Sequence, residues 1–195
     1  DLFMSTSLVK GQKIDLTKGN SGLRKVAFGL GWDTNRYDGN SDFDLDVSAF
    51  LTDDTGKVTS EKDFVFYGQP QHPSGALIYS GDNRTGEGDG DDETMIVDLN
   101  KIPSNITKIS FSATIYDADE RLQNFGMVDN SYIRAYDVDT NEELFKYELN
   151  EDFSLETGII AGELYRKDNE WRFNAVGSGY ENGLAAIGRT FGLDI

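Results

Sequence analysis

The sequence contains no cysteine and a single histidine. The first absence excludes disulfides, thiolate zinc sites, iron–sulfur ligation and a thiol nucleophile. The second excludes any centre that needs two imidazoles. Basic residues are scarce: 18 Lys and Arg stand against 35 Asp and Glu, a formal charge of −17. Such a surface repels phosphate backbones and anionic headgroups, so nucleic acid and lipid are poor partners. Cations or a basic protein are the natural counterparts. No apolar run approaches the roughly 18 residues of a membrane span, so direct membrane insertion is not expected. No basic-then-apolar leader opens the chain, and secretion is not expected either. With only 3 prolines and no long polar linker, residues 4–195 are expected to form one domain. Asp1-Leu2-Phe3 precede Met4 and read as a cloning remnant ahead of the natural start.

What is present is a strand pattern. Val26, Phe28, Leu30 and Trp32 point one way, while Ala27, Gly29 and Gly31 leave the other face flat enough for a backbone to approach. Phe43, Leu45, Val47 and Ala49 alternate with Asp44, Asp46 and Ser48. Further strands are expected over 64–67, 76–79, 94–99, 106–116, 132–138, 144–149, 159–165 and 171–176. Turn chemistry separates them at Asp53-Asp54-Thr55-Gly56, Pro73-Ser74-Gly75, Asp139-Thr140-Asn141 and Lys167-Asp168-Asn169. Many short strands at this spacing predict an all-β fold, a two-sheet β-sandwich. Helices are few. Asp117-Ala118-Asp119-Glu120 resembles a capping box, with Leu122 and Phe125 inward and Gly126 as the stop. Leu184, Ile187 and Phe191 predict a short helix over 182–191.

The negative charge is concentrated. Residues 33–46 hold five Asp and one Arg, and residues 82–93 hold six acids and one Arg. Together these windows supply more than half of the net charge. The acids alternate with Gly and Asn in the second window and with apolar residues in the first, whereas a merely solvated acidic face is diluted with Lys and Ser. Calcium needs such a pattern. It takes six to eight oxygens at about 2.3–2.6 Å, from carboxylates, amides and backbone carbonyls. Glycine lets the backbone curl so that carbonyls and carboxylates face one point. A bound divalent ion also removes the repulsion among crowded carboxylates. A donor set of oxygen alone favours Ca²⁺ or Mg²⁺ over transition metals. The bland alternatives are a solvated acidic loop for the second window and, for Asp44 and Asp46, the solvent face of a strand.

An EF-hand does not fit. Asp42, Asp44 and Asp46 occupy loop positions one, three and five, but Val47 stands where Gly is needed. In the second window Arg84 falls on a ligand position. Asp137, Asp139 and Asn141 come nearer, but strand sequence flanks them and a hairpin turn is expected there.

Several motifs resemble the TerD family of tellurium-resistance and stress-response proteins. They are Gly29-Leu30-Gly31-Trp32-Asp33, Phe43-Asp44-Leu45-Asp46, and Gly81-Asp82-Asn83 followed by the Gly-Asp run from Thr85 to Glu93. Thr114-Ile115-Tyr116-Asp117-Ala118, Gly162-Glu163-Leu164-Tyr165-Arg166 and Gly177-Ser178-Gly179-Tyr180 continue the resemblance in order from about Ser7 to the C-terminus. It implies a cytoplasmic bacterial β-sandwich that binds calcium through acidic loops at one end. It also implies company with other tellurite-resistance and stress proteins, some of them membrane-bound. Carried over by motif, the implied metal ligands are Asp33, Asp44, Asp46, Asp82, Asn83, Asp89, Asp91, Asp92 and Glu93, with carbonyls from Gly86 and Gly88. Asp42 lies just outside its motif and ranks lower. Asp117 also ranks lower, since N-capping explains it equally well.

No reaction follows from the resemblance, and a non-catalytic sensor, buffer or scaffold is expected. The alternative is a metal-dependent hydrolase of a phosphate-containing substrate. Such a site wants Lys or Arg at the phosphate, and the windows hold only Arg36 and Arg84. A Ser-His-Asp triad has only His72 to use, which the loop Pro70-Gln71-His72-Pro73 predicts to be solvated. A sugar site on Trp32 and Trp171 is disfavoured: Trp32 falls in the apolar phase of its strand, and Trp171 is expected to pair with Tyr165. The windows hold eleven carboxylates, and one Ca²⁺ rarely uses more than about four. Two or more ions in a shared cluster are therefore expected.

Overall fold

The computed structural model describes residues 5–33, 44–82, 91–149 and 153–195, with only the backbone of Asp82. In chain order the strands are β1 (Thr6–Leu8), β2 (Lys13–Asp15), β3 (Lys25–Asp33), β4 (Leu45–Thr52), β5 (Phe64–Val65) and β6 (Leu77–Asp82). They continue as β7 (Glu93–Asp98), β8 (Lys108–Ile115), β9 (Asp129–Asp137), β10 (Glu143–Glu148), β11 (Gly158–Lys167) and β12 (Glu170–Tyr180). One six-stranded sheet has the order β1-β10-β9-β3-β7-β6 and the other β2-β12-β11-β8-β4-β5. This is the expected β-sandwich.

The core lies between the sheets. Val26, Phe28 and Leu30 of β3 are buried in it, as their alternation predicts. Phe28 stacks on Phe111 with ring centroids 4.4 Å apart, and Phe145 on Phe173 at 4.3 Å. These four rings come from four strands of both sheets, so the aromatic stack ties the layers together. A second apolar cluster forms on the outer face of the β4-containing sheet. There α2 (Gly183–Thr190) lays Ile187 beside Phe50, Phe64 and Phe191. The predicted C-terminal helix is therefore present, and it makes a partial third layer.

Several local expectations change. The three-residue edge strands β1 and β2 carry too short a pattern to be read from the sequence. The segment after β8 forms only one helical turn, α1 (Ala118–Arg121). Asp117 makes no side-chain cap, and Leu122 ends the helix in a left-handed conformation at 80% exposure. The capping box and the inward Leu122 are thus not realised, although Phe125 is buried. Trp171 pairs with Arg166 and not with Tyr165, and the guanidinium lies 4.5 Å from its ring centre. The turn before it places Asp168 and Asn169 both at positive φ (54° and 62°), the requirement of a two-residue hairpin turn. The Asp139–Asn141 stretch is a turn between β9 and β10, with the Asn141 amide donating to the Asp137 carbonyl at 2.7 Å.

His72 is buried at 5% exposure, against the solvated state expected for it. Its Nδ1 accepts the Ser74 amide at 3.1 Å and lies 2.7 Å from Ser74 Oγ, so Nε2–H donates to Asp63 Oδ1 at 2.7 Å. Asp63 Oδ2 in turn accepts from the Thr59 amide and hydroxyl. Ser, His and Asp are in line, but the imidazole lone pair already faces a backbone N–H, and the ring is sealed from solvent. The group is a staple between two turns. His72→Ala is expected to leave the buried Asp63 oxygen unpaired and cost about 2 kcal/mol. The melting temperature should then fall by roughly 4–8 °C, as differential scanning calorimetry would show. A shift below 2 °C would count against the staple.

Candidate functional site

Topology gathers the described ends of the acidic windows at one end of the sandwich. The end of β3 pairs with the start of β7 (Leu30 opposite Glu93), and the end of β6 with the same start (Asp82 opposite Glu93). Asp33 lies opposite Asp129 at the start of β9. The start of β4 pairs with the end of β8, and the Tyr116 amide donates to the Asp44 carbonyl at 2.8 Å. A contact across the layers ties the second window to the residue that follows the first. Strand β5 covers β4 only at Ala49 and Phe50, so the Val47 N–H on that side has no strand partner. It donates to Glu93 Oε2 at 3.1 Å.

The three described acids at the end of the second window play three parts. Glu93 reaches inward to Val47. Asp92 extends the ladder of β3: its amide donates to the Leu30 carbonyl at 2.9 Å, and its Oδ2 accepts the Trp32 amide at 2.8 Å. Asp91 turns to the outer face of the sheet. Arg134 grips it with a fork, Nε to Oδ1 at 2.8 Å and Nη2 to Oδ2 at 2.9 Å, and the Tyr132 hydroxyl donates to Oδ1 at 2.9 Å. Burial and the Asp91 carboxylate together hold the Tyr132 hydroxyl well above the usual phenol range. Burial pulls the Arg134 guanidinium down, but its bonds to Asp91 outweigh this and keep it charged. Both Asp91 oxygens are thereby occupied by protein donors.

Gly29 and Gly31 explain how this is accommodated. A Cβ on Gly29 would lie 2.1 Å from Asp91 Oδ2, and one on Gly31 would lie 2.4 Å from the Tyr132 ring. The flat face of β3 therefore admits two side chains, not the backbone expected from the pattern.

In the first window, Asp33 accepts from the Asn130 side chain at 2.7 Å. Among the described residues the carboxylates of Asp44 and Asp46 have no hydrogen-bond or ion-pair partner. Burial, and secondarily the charge of Asp44, push the Asp46 carboxyl up to about 6. The sign for stability follows. The ionised form is disfavoured in the fold, so this contribution is favourable at low pH and is lost as pH rises from about 4 through about 6. In chelator, the parent protein should gain melting temperature relative to Asp46→Asn between pH 7.5 and 5, as thermal unfolding at stepped pH would show. Parallel profiles would contradict it.

Asp117 lies apart from the ladder contacts. Its backbone is left-handed, with φ 56°, and it lines an open cleft of about 430 Å³ with Asp119, Thr157, Glu181 and Asn182. Asp42, Asn83, Gly86, Gly88 and Asp89 lie outside the described residues, as does the side chain of Asp82. Among the described residues no three His, Asp or Glu side chains form a group that could hold a metal ion. The chemistry of the donor set still fits a hard divalent cation, since Asp33, Asp44, Asp46, Asp92 and Glu93 offer oxygen alone. These described carboxylates do not by themselves complete a coordination shell. The sequence pattern found the acids, but not Arg134 or Tyr132. Their place in β9 carries no motif, and only the strand order sets them against Asp91.

The TerD domain model matches residues 4–191. The chain belongs to the TerD family. General stress protein 16U of Bacillus subtilis is 58% identical over 192 residues, covering 98% of this chain and all of that protein. Tellurium resistance protein TerD of Serratia marcescens is 47% identical, covering 98% of this chain and 99% of that one. Among solved structures, a Streptomyces coelicolor A3(2) protein described as a homologue of telluride resistance protein superposes with a TM-score of 0.66 at 21% identity. It covers 85% of this chain and 95% of its own. That likeness concerns the fold. This TerD domain thus stands in a family with tellurium-resistance and stress-response members, and the relatives named here carry resistance or stress names rather than enzyme names. Among its described residues no helix is long and apolar enough to cross a membrane.

Proposed function

We propose that this TerD-family protein is a non-catalytic, calcium-binding stress-response module of the bacterial cytoplasm. Calcium binds at the end of the sandwich where β3, β4, β6 and β7 meet. The observation that carries the reading is the tie there between the second acidic window and the residue that follows the first. Glu93 of one sheet bonds Val47 of the other, next to Asp46 and Asp44, whose carboxylates lack a cationic partner among the described residues. Asp33, Asp44, Asp46, Asp92 and Glu93 are the described candidates for oxygen ligands. Asp91 is excluded from the set because Arg134 and Tyr132 hold it. A cation at this end relieves the mutual repulsion of the carboxylates and ties strand ends of both sheets. Its partners, besides calcium, are other stress and resistance proteins.

The test is calorimetric titration of metal-stripped protein with Ca²⁺ and then Mg²⁺. Saturable calcium binding that magnesium does not match supports the reading, and the absence of any calcium heat rejects it. Native mass spectrometry at saturating calcium is expected to show at least two bound ions. A single ion would reject the shared cluster. A phosphoesterase turnover in the parent protein that Asp44→Asn abolishes would replace the module with a metal-dependent hydrolase.

A further inference from the structure

We propose that Arg134 and Tyr132 are positioning residues for the cation site, acting through Asp91 on Asp92 and Glu93. The inference rests on the calcium reading and deepens it.

The guanidinium is fixed from several sides. It forks onto Asp91, lies 4.7 Å from the ring centre of Tyr136, and approaches Glu143 at 3.6 Å. Lys146 covers the Tyr132 ring at 4.4 Å. The Asp91 side chain is only 4% exposed and sits in the space that Gly29 leaves open. A planar fork on a buried carboxylate sets both its position and its orientation. In an extended chain residues i and i+2 share a face, but the chain bends at Asp92, before β7 begins at Glu93, and Asp91 and Glu93 take opposite faces. Clamping Asp91 on the outer face fixes where that bend falls, with Glu93 turned inward toward Val47 and Asp92 held against the end of β3. Neither outcome is encoded in residues 91–93 alone, where three adjacent acids repel one another.

Charge and position make opposite forecasts. If Arg134 acts on a cation only by its charge, removing that charge raises calcium affinity, modestly so at physiological salt, where screening acts within about 8 Å. If it positions ligands, losing its geometry lowers affinity. Groups that orient metal ligands typically contribute about 10–100-fold in affinity.

The experiment measures calcium affinity by titration calorimetry for the parent, Arg134→Lys, Arg134→Gln, Tyr132→Phe, Asp91→Asn and the Arg134→Gln/Asp91→Asn pair. Circular dichroism confirms that each is folded at the temperature used. Amide hydrogen exchange at Trp32 and Val47 is followed without metal. Arg134→Lys keeps the charge and loses the fork. The expected result is at least a tenfold loss of affinity in it and in Asp91→Asn, with faster exchange at both amides. The double variant should be no weaker than the weaker single one. Unchanged or tighter binding by the folded Arg134 variants would overturn the proposal. So would additive losses, which make Asp91 a ligand in its own right. If Arg134→Gln does not fold, Tyr132→Phe, which deletes one hydrogen bond, carries the comparison. A parent protein that binds no calcium rejects the calcium reading itself. The exchange rates then show separately whether the clamp still holds residues 92 and 93.

Discussion

Gly29→Ala is expected to be among the most damaging single-methyl changes in this protein. The added carbon would lie 2.1 Å from Oδ2 and 2.3 Å from Cγ of Asp91, well inside contact distance. The carboxylate cannot swing aside cheaply, because Arg134 and Tyr132 hold both of its oxygens. Displacing it breaks the ion pair of a buried carboxylate. Separating such a pair costs about 3–5 kcal/mol. For a chain of this length that lowers the melting temperature by roughly 6–20 °C. A control isolates the cause. In an Asp91→Ala background the clash is gone, and Gly29→Ala should change the melting temperature by less than 2 °C, a strongly non-additive cycle. If Gly29→Ala costs the same in both backgrounds, the glycine is needed for something other than the Asp91 seat.

Calcium is expected to produce the second large effect. A ligand that binds only the folded state stabilises it by about 2.7 kcal/mol at a hundredfold excess over its Kd, or roughly 5–10 °C in melting temperature here. Chelation should remove that increment and leave the far-ultraviolet β signal intact at room temperature. The aromatic stack of Phe28, Phe111, Phe145 and Phe173 lies between the sheets and does not involve the acidic residues. Asp44→Asn with Asp46→Asn should mimic chelation and abolish most of the response, since an amide keeps the size but removes the charge. If the two aspartates are only a solvated strand face, the double variant will instead melt at the same temperature or higher and respond fully to calcium. Scanning calorimetry of both proteins with calcium and with chelator distinguishes these outcomes.

Several features were legible because they depend on near neighbours in the chain. The alternation of Val26, Phe28 and Leu30 named the buried face of β3, and Lys167-Asp168-Asn169 named the hairpin turn after β11. The 184, 187, 191 spacing named α2. What failed was equally local in origin. Asp117 to Glu120 had the residues of a capping box, but Asp117 takes a left-handed conformation and makes no cap. His72 sits in a polar, proline-flanked loop, yet Asp63 nine residues earlier draws it inside. The edge strands β1 and β2 have three residues each, too few for a period to show.

The sequence by itself determined the strand-rich class, the family, the concentration of acid in two windows and the exclusion of sulfur and paired-imidazole chemistry. These follow from composition, period and motif, which are properties of the chain read in order. Only the tertiary structure decided how the acids divide their roles. Asp91, Asp92 and Glu93 are indistinguishable as adjacent carboxylates in a sequence. They separate because β3 lies between β7 and β9. That strand order brings Arg134 and Tyr132 over Gly29 and Gly31, and sheet-on-sheet packing brings the open edge of β4 within reach of Glu93. A carboxylate's chemistry is set by the donors around it, and here those donors lie some forty residues away in the chain.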